Sequence, residues 1–203
     1  MKIVHIQNIV KKGQLANSKI FDEINVEIKT AINKISWPPK SDGFYLNANS
    51  KGKKRGQGNG VKPIKEACVT YLKTKDWKEE KRIRPRGVAG TGPLDVVKNT
   101  QYGLFALEWE TGNISSSHRA LNKICLGVLN KELAGGVLVV PSNELYPFLT
   151  DRVGNYRELT PYLNLWERLP FKEGVISIIV VEQDGFKRGV KRIPKGTDGR
   201  ALL

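Results

Sequence analysis

Three carboxylates carry the strongest chemical signal in the chain. Glu108 and Glu110 stand one residue apart in LEWETGNISSSHRALNK, so on a β-strand both side chains leave the same face. Asp95, in GPLDVVK, falls on what reads as the preceding strand of a hairpin and supplies a third acid. Around them the chain is strongly basic: Lys and Arg number 34 against 20 acids, a formal net charge of +14. That bias points to a polyanionic partner. A protein that binds polyanions has little use for concentrated negative charge unless the charge holds a cation, and hard divalent cations take carboxylate oxygens. The pattern therefore predicts a divalent-metal-dependent nuclease. An ExE pair alone is a weak signal, because acids also alternate on solvated sheet faces. Trp109 between the two glutamates favours a half-buried strand, with the indole turned inward.

The remaining composition narrows the class. At 203 residues with 39% hydrophobic side chains, the expectation is one domain spanning residues 1–203. No apolar run approaches the length of a bilayer span, and the first residues, MKIVHIQNIVKKG, are too interrupted by His5, Gln7 and Asn8 for a signal peptide. Cys68 and Cys125 are isolated in apolar helical settings and read as reduced core residues of a cytoplasmic protein. His5 and His118 are too few and too distant for a zinc site or a histidine triad.

The elements that must position the acids are legible in outline. Residues 16–36 show apolar positions at helical spacing, with Asn17 or Ser18 as cap and Trp37-Pro38-Pro39 as the stop. KGKKRGQGNG (51–60) is a basic loop: either a solvated linker or a phosphate clamp that orders on binding. Pro63 suits the first turn of a helix to about Lys75, burying Ile64, Ala67, Cys68, Tyr71 and Leu72. A second basic stretch, KEEKRIRPRGVAGTG, leads into a hairpin of strands 94–98 and 104–111. A helix over 115–130 follows, and Gly135-Gly136 breaks into GVLVVP, which reads as a buried central strand. A short helix from Ser142, a polar helical segment over 155–167, a last buried strand over 175–181 and a basic tail complete the chain. The order predicts an α/β fold, a central mixed β-sheet flanked by helices on both sides.

Two adjacent strands bearing D…ExE, followed by a helix, resemble the PD-(D/E)xK nuclease core, with departures. Leu94 separates Pro93 from Asp95, and Glu110 stands where that core usually has Lys. The Glu-for-Lys variant followed by TGNISS resembles the BamHI-type restriction endonucleases. NGVKPIKEAC (59–68), GPLDVVK (92–98), EWETGNISSSHRALNK (108–123), LTDRVGNYRELTPYL (149–163) and IPKGTDG (193–199) all look like blocks of that family, in the family's order. They cover somewhat under a third of the chain, and the central block is highly specific.

The resemblance implies a restriction-endonuclease-like fold and a set of site residues. The metal ligands fall on Asp95, Glu108 and the backbone carbonyl of Trp109, with Glu80 as a further acid and Glu79 its competitor. The implied cofactor is Mg2+, two ions per active site. Glu110 takes the role of orienting or deprotonating the attacking water, and Lys65 that of a basic residue near the reacting phosphate; its bland alternative is an exposed helix lysine. Asn113, Ser115, Arg119, Asp151, Arg152 and Asp198 fall on the family's base contacts. Their chemistry suits that role: a guanidinium fork matches guanine O6 and N7, and a carboxylate accepts from cytosine N4. Asn113 as a simple helix cap and Asp151-Arg152 as a surface ion pair are the alternatives. The basic loop and the tail, with Lys187, Arg188, Lys191, Arg192 and Lys195, fit phosphate contacts.

A homodimer reading the palindrome GGATCC follows from the resemblance, cutting double-stranded DNA after the first G and leaving 5′ overhangs. Helix 115–130 is expected at the dimer interface, a partner methyltransferase protects the same site in the host, and no membrane is involved. The family's type member continues beyond the position matching KGTDG, so contacts from that segment are expected to be absent or replaced. Two other readings remain at this point: the same chemistry with a different recognition sequence, and a catalytically silent DNA-binding protein. A general RNA-binding protein explains the charge but not the acids.

Overall fold

The structure, a computed structural model, describes residues 1–52, 57–82, 92–110, 112–150 and 153–195, with only the backbone of 80–82. Strand β1 (Lys2–Lys12) is followed by helix α1 (Lys19–Asn33), the short strand β2 (Tyr45–Leu46) and helix α2 (Lys62–Lys73). Strands β3 (Lys78–Arg82), β4 (Pro93–Thr100) and β5 (Gly103–Trp109) then lead to helix α3 (Ile114–Leu129) and strand β6 (Leu133–Pro141). Two short helices, α4 (Tyr156–Leu159) and α5 (Leu163–Glu167), precede strands β7 (Gly174–Glu182) and β8 (Gly185–Phe186). Six strands form one mixed sheet in the order β1-β7-β6-β5-β4-β3, and β2 pairs with β8 apart from it. β5, β6 and β7 run parallel, while β1, β4 and β3 pair antiparallel with their neighbours.

Side-chain alternation divides the core between the two faces. Val137, Val139, Val175, Ile179 and Val181 join the cluster containing α1 and α2, whereas Leu138, Val140, Ile176, Ile178 and Val180 join that containing α3, α4 and α5. β6 and β7 are thus apolar on both faces because helices cover both. In β5, Phe105, Leu107 and Trp109 belong to the α1–α2 side and Ala106 to the α3 side. The period of two then assigns Glu108 to the α3 side. The expected α/β architecture is the one observed, and its central sheet has helices on both faces.

Several local expectations change. α1 starts at Lys19 with Ser18 as its cap, the Ser18 Oγ accepting the Phe21 N–H at 3.2 Å, and it ends before the Trp37-Pro38 stop. In α2 it is Val69 that is buried, while Ala67 is exposed. Gly135-Gly136 does not precede the central strand but lies inside β6, Gly135 beneath the Phe105 ring. Ser142 opens no α-helix: its Oγ accepts the N–H groups of Glu144 and Leu145, and only a 3-10 turn follows at Tyr146–Phe148. The polar helix over 155–167 is split, because Pro161 lacks the N–H that a continuous helix needs. β1 and β3 are strands that the sequence did not announce. Among the described residues no helix is long and apolar enough to cross a membrane.

Candidate active site

Asp95, Glu108 and Glu110 stand where the β4–β5 hairpin meets the entry to α3. Registered pairing between the two strands ends at Val96–Leu107. Beyond it Asp95 closes the hairpin with its side chain, Oδ2 accepting the Trp109 N–H at 2.8 Å. Glu108 and Glu110 are only 5% and 4% exposed. The Glu110 N–H donates to the Val139 carbonyl at 2.9 Å, which continues the β5–β6 pairing past the last strand residue, and its Oε1 accepts the Gly112 N–H.

Two lysines balance these acids. Lys65, on α2, places Nζ 2.5 Å from Asp95 Oδ1. Lys123, on α3, places Nζ 2.5 Å from Glu108 Oε1 and 2.7 Å from the Pro93 carbonyl. Since α2 and α3 pack on opposite sheet faces, the ammonium groups approach the carboxylates from opposite sides. Even so, burial and the negative charge of Asp95 push the Glu108 carboxyl up from 4.5 to about 7, with Lys123 and Lys65 offsetting only part of the rise. Desolvation outweighs an ion pair at contact distance here, as expected for a carboxylate cut off from water on most sides.

Among the described residues, no three acid or imidazole side chains close around a common point, so no finished metal cage is present there. The donor chemistry nevertheless fits a hard divalent cation. Burial, with the negative charge of Asp95 added to it, holds Glu108 partly protonated at neutral pH, and a cation between the two carboxylates would offset both. Glu79 and Glu80 are separated by register. Glu79 pairs with Val96 and its carboxylate engages Lys73 at 2.9 Å, while Lys81 pairs with Leu94. Glu80 thus takes the register position facing Asp95; its side chain lies outside the described residues.

The expected base-contact residues divide in two. Asn113, Ser115 and Arg119 lie exposed on the first turns of α3, beside the acids. Asn113 caps the helix, its Oδ1 accepting the Ser116 N–H at 3.2 Å, and Arg119 Nη2 donates to Ser116 Oγ at 3.3 Å. Capping occupies only the carbonyl oxygen of Asn113 and leaves its amide group for other partners. Lys195 is half-buried in the segment after β8. Asp151, Arg152 and Asp198 lie outside the described residues, as does part of the basic loop, residues 53–56. Sequence reasoning missed Lys123. It falls off the apolar stripe of α3, and only the carboxylate it meets explains its burial.

Comparison with known proteins identifies the family and the fold. A family model described as restriction endonuclease BamHI matches residues 1–200. The chain is 45% identical over 202 residues to the type II restriction enzyme OkrAI of Oceanobacter kriegii, with all of both chains covered. It is 37% identical over 199 residues to the type II restriction enzyme BamHI of Bacillus amyloliquefaciens, covering 93% of this chain and 87% of that one. Among solved structures, restriction endonuclease BglII complexed with a DNA 16-mer superposes with a TM-score of 0.65 at 14% identity, over 91% of this chain and 79% of that one. Free BglII gives 0.53 at 12% identity, over 91% and 81%. At such identities the two structures speak for the shared fold alone. The match along nearly the whole sequence speaks for descent as well, and the chain belongs to the BamHI family of type II restriction endonucleases.

Proposed function

We propose that the chain hydrolyses phosphodiesters of double-stranded DNA at the palindrome GGATCC, cutting after the first G, as a Mg2+-dependent homodimer. The observation that supports the catalytic part of this reading is the pair Asp95 and Glu108 beside the end of β5, countered by Lys65 and Lys123, with Glu110 buried two residues further on. Asp95, Glu108, the Trp109 carbonyl and Glu80 would hold two ions. Bound Mg2+ supplies charge neutralisation at the scissile phosphate and stabilises the leaving oxygen. Glu110 orients the attacking water and accepts its proton, its own carboxylate fixed by the Gly112 N–H. Lys65 sits beside Asp95, where an ammonium also offsets the negative charge of an approaching phosphate.

The exposed first turns of α3 support a reading role for Asn113, Ser115 and Arg119, because a helix N-terminus presented next to the cutting site can enter the major groove. Asp151, Arg152 and Asp198 complete the reading of three base pairs in each half-site, and Lys195 contacts phosphate. α3 is assigned to the dimer interface, and two-fold symmetry then doubles the half-site into a palindrome. A methyltransferase of the same specificity accompanies the enzyme in its bacterial cytoplasm.

Digestion of a DNA containing one GGATCC site, with magnesium and with both ends sequenced, tests the reading. One staggered cut after the first G agrees with it. A cut at another sequence keeps the chemistry and overturns the assignment of base contacts. Site-specific binding without a cut overturns the catalytic assignment.

A further inference from the structure

Asn59 is 1% exposed, and a polar side chain so deeply buried must find partners for both of its polar groups. It finds them in three separate stretches of chain. Nδ2 donates to the Phe148 carbonyl at 2.7 Å and to Ser50 Oγ at 3.3 Å, while Oδ1 accepts the Ile193 N–H at 2.9 Å. The main chain adds further links. The Asn59 N–H donates to the Phe148 carbonyl at 2.8 Å, its carbonyl accepts the Thr150 N–H at 2.9 Å, and the Gly60 N–H donates to the Ile193 carbonyl at 3.0 Å. Glycines on both sides allow this closeness. A Cβ on Gly58, at φ +85°, would fall 2.2 Å from the Leu149 carbonyl oxygen, and one on Gly60 would fall 1.9 Å from that of Pro194.

The stretches gathered in this way lead directly into the segments assigned to DNA. Thr150 immediately precedes Asp151 and Arg152. On their other side Val153 is buried, and the Gly154 N–H donates to the Gly112 carbonyl at 2.8 Å, in the turn that enters α3. Ile193 and Pro194 immediately precede Lys195 and lead towards Asp198. A residue bonded at once to Thr150, Phe148 and Ile193 therefore fixes the approaches to the two reading segments relative to each other. The contacts that hold the acids come from α2, α3, β5 and the turn after it, and none of those described is made by Asn59.

We propose that Asn59 is a positioning residue for sequence recognition: it clasps Phe148 and Thr150, which lead into Asp151 and Arg152, to Ile193, which leads into Lys195 and towards Asp198. Being buried, it acts through those segments and does not touch DNA. Only a side chain with both a donor and an acceptor at one end fits the role. The inference rests on the reading of those four residues as DNA contacts.

The test compares Asn59→Ala and Asn59→Asp with the wild type in single-turnover cleavage at saturating enzyme. Substrates are the duplex the wild type cuts and duplexes with one altered base pair, with rates normalised to the folded fraction from circular dichroism. The ratio of cognate to altered rates is expected to fall by about tenfold or more, while the cognate rate stays within about threefold. A lower active fraction with an unchanged ratio means that Asn59 serves stability alone and overturns the proposal. Asn59→Asp keeps the acceptor towards Ile193 but sets a carboxylate oxygen against the Phe148 carbonyl, so if neither variant folds the exchange measurement on the wild type decides. In the wild type, the amides of Thr150, Gly60 and Ile193 are expected to resist hydrogen exchange together; rapid exchange at Thr150 or Ile193 overturns the clasp. Asp151→Ala and Arg152→Ala separate the two layers. If they lose discrimination while both Asn59 variants keep it, the clasp fails and the readers stand. If they keep discrimination, the reader assignment fails, and the route proposed for Asn59 fails with it.

Discussion

Replacing Glu108 with Gln should shift metal-free stability in the variant's favour as pH rises. Burial and the charge of Asp95 raise the Glu108 carboxyl from 4.5 to about 7 in the folded protein. Between those values the folded state keeps a proton that the unfolded chain has released. Stability therefore falls as pH rises through this window, and the loss is complete above about 7. The rise, at about 1.36 kcal/mol for each pH unit, is worth about 3 kcal/mol in all, most of which develops between pH 5 and pH 8. Gln has the same shape, does not titrate, and its oxygen can still accept from Lys123 Nζ, now 2.5 Å from Glu108 Oε1. Urea unfolding in EDTA at several pH values measures the effect, and subtracting wild type from variant cancels every other titrating group. The difference should widen by most of that amount from pH 5 to pH 8. Saturating magnesium should add stability to the wild type and not to the variant, because a ligand bound by the folded state alone stabilises only the protein that holds it. A difference that stays flat across pH would refute the claim that Glu108 sits in a desolvated, like-charged environment.

Three further outcomes follow from named contacts. Lys123→Met strips the buried Glu108 carboxylate of its cation, so metal-free stability at pH 8 should drop by about 3 kcal/mol, and the drop should largely vanish in a Glu108→Gln background. Glu27 accepts from Lys98 Nζ at 2.6 and 2.7 Å and from Trp77 Nε1 at 2.8 Å, tying α1 to the β3–β4 edge; Glu27→Ala should cost about 2 kcal/mol in chemical denaturation, and an unchanged midpoint would contradict the tie. Burial pushes the Cys68 and Cys125 thiols up to about 12, so iodoacetamide should label neither until the protein unfolds; fast labelling of the native protein would show that these helices open.

Helices and buried strands were legible because burial imposes their periods. α1, α2 and α3 carry apolar stripes at helical spacing, and β6 and β7 are apolar throughout because both faces are covered. β1 escaped because its pairing with β7 shifts register between Ile3 and His5 and again between Asn8 and Val10; each shift breaks the alternation that would mark a strand. β3, with the sequence KEEKR at the sheet edge, offers no apolar signal at all. The acids Asp95, Glu108 and Glu110 were readable from spacing, since a period of two needs no tertiary information. Lys123 and Asn59 were not. Each owes its place to partners remote in sequence, Glu108 and Pro93 for the first, Phe148 and Ile193 for the second, and only the assembled fold brings those together.

The central claim is that the carboxylates at the end of β5 do the cutting while α3 and its neighbouring segments do the reading. Glu110→Ala separates the two most directly, with binding to a GGATCC duplex measured in EDTA and single-turnover cleavage in magnesium. The account predicts binding within about threefold of wild type and cleavage slowed by about a thousandfold or more. Cleavage within about tenfold of wild type would contradict it, since the proton of the attacking water would then leave through another group.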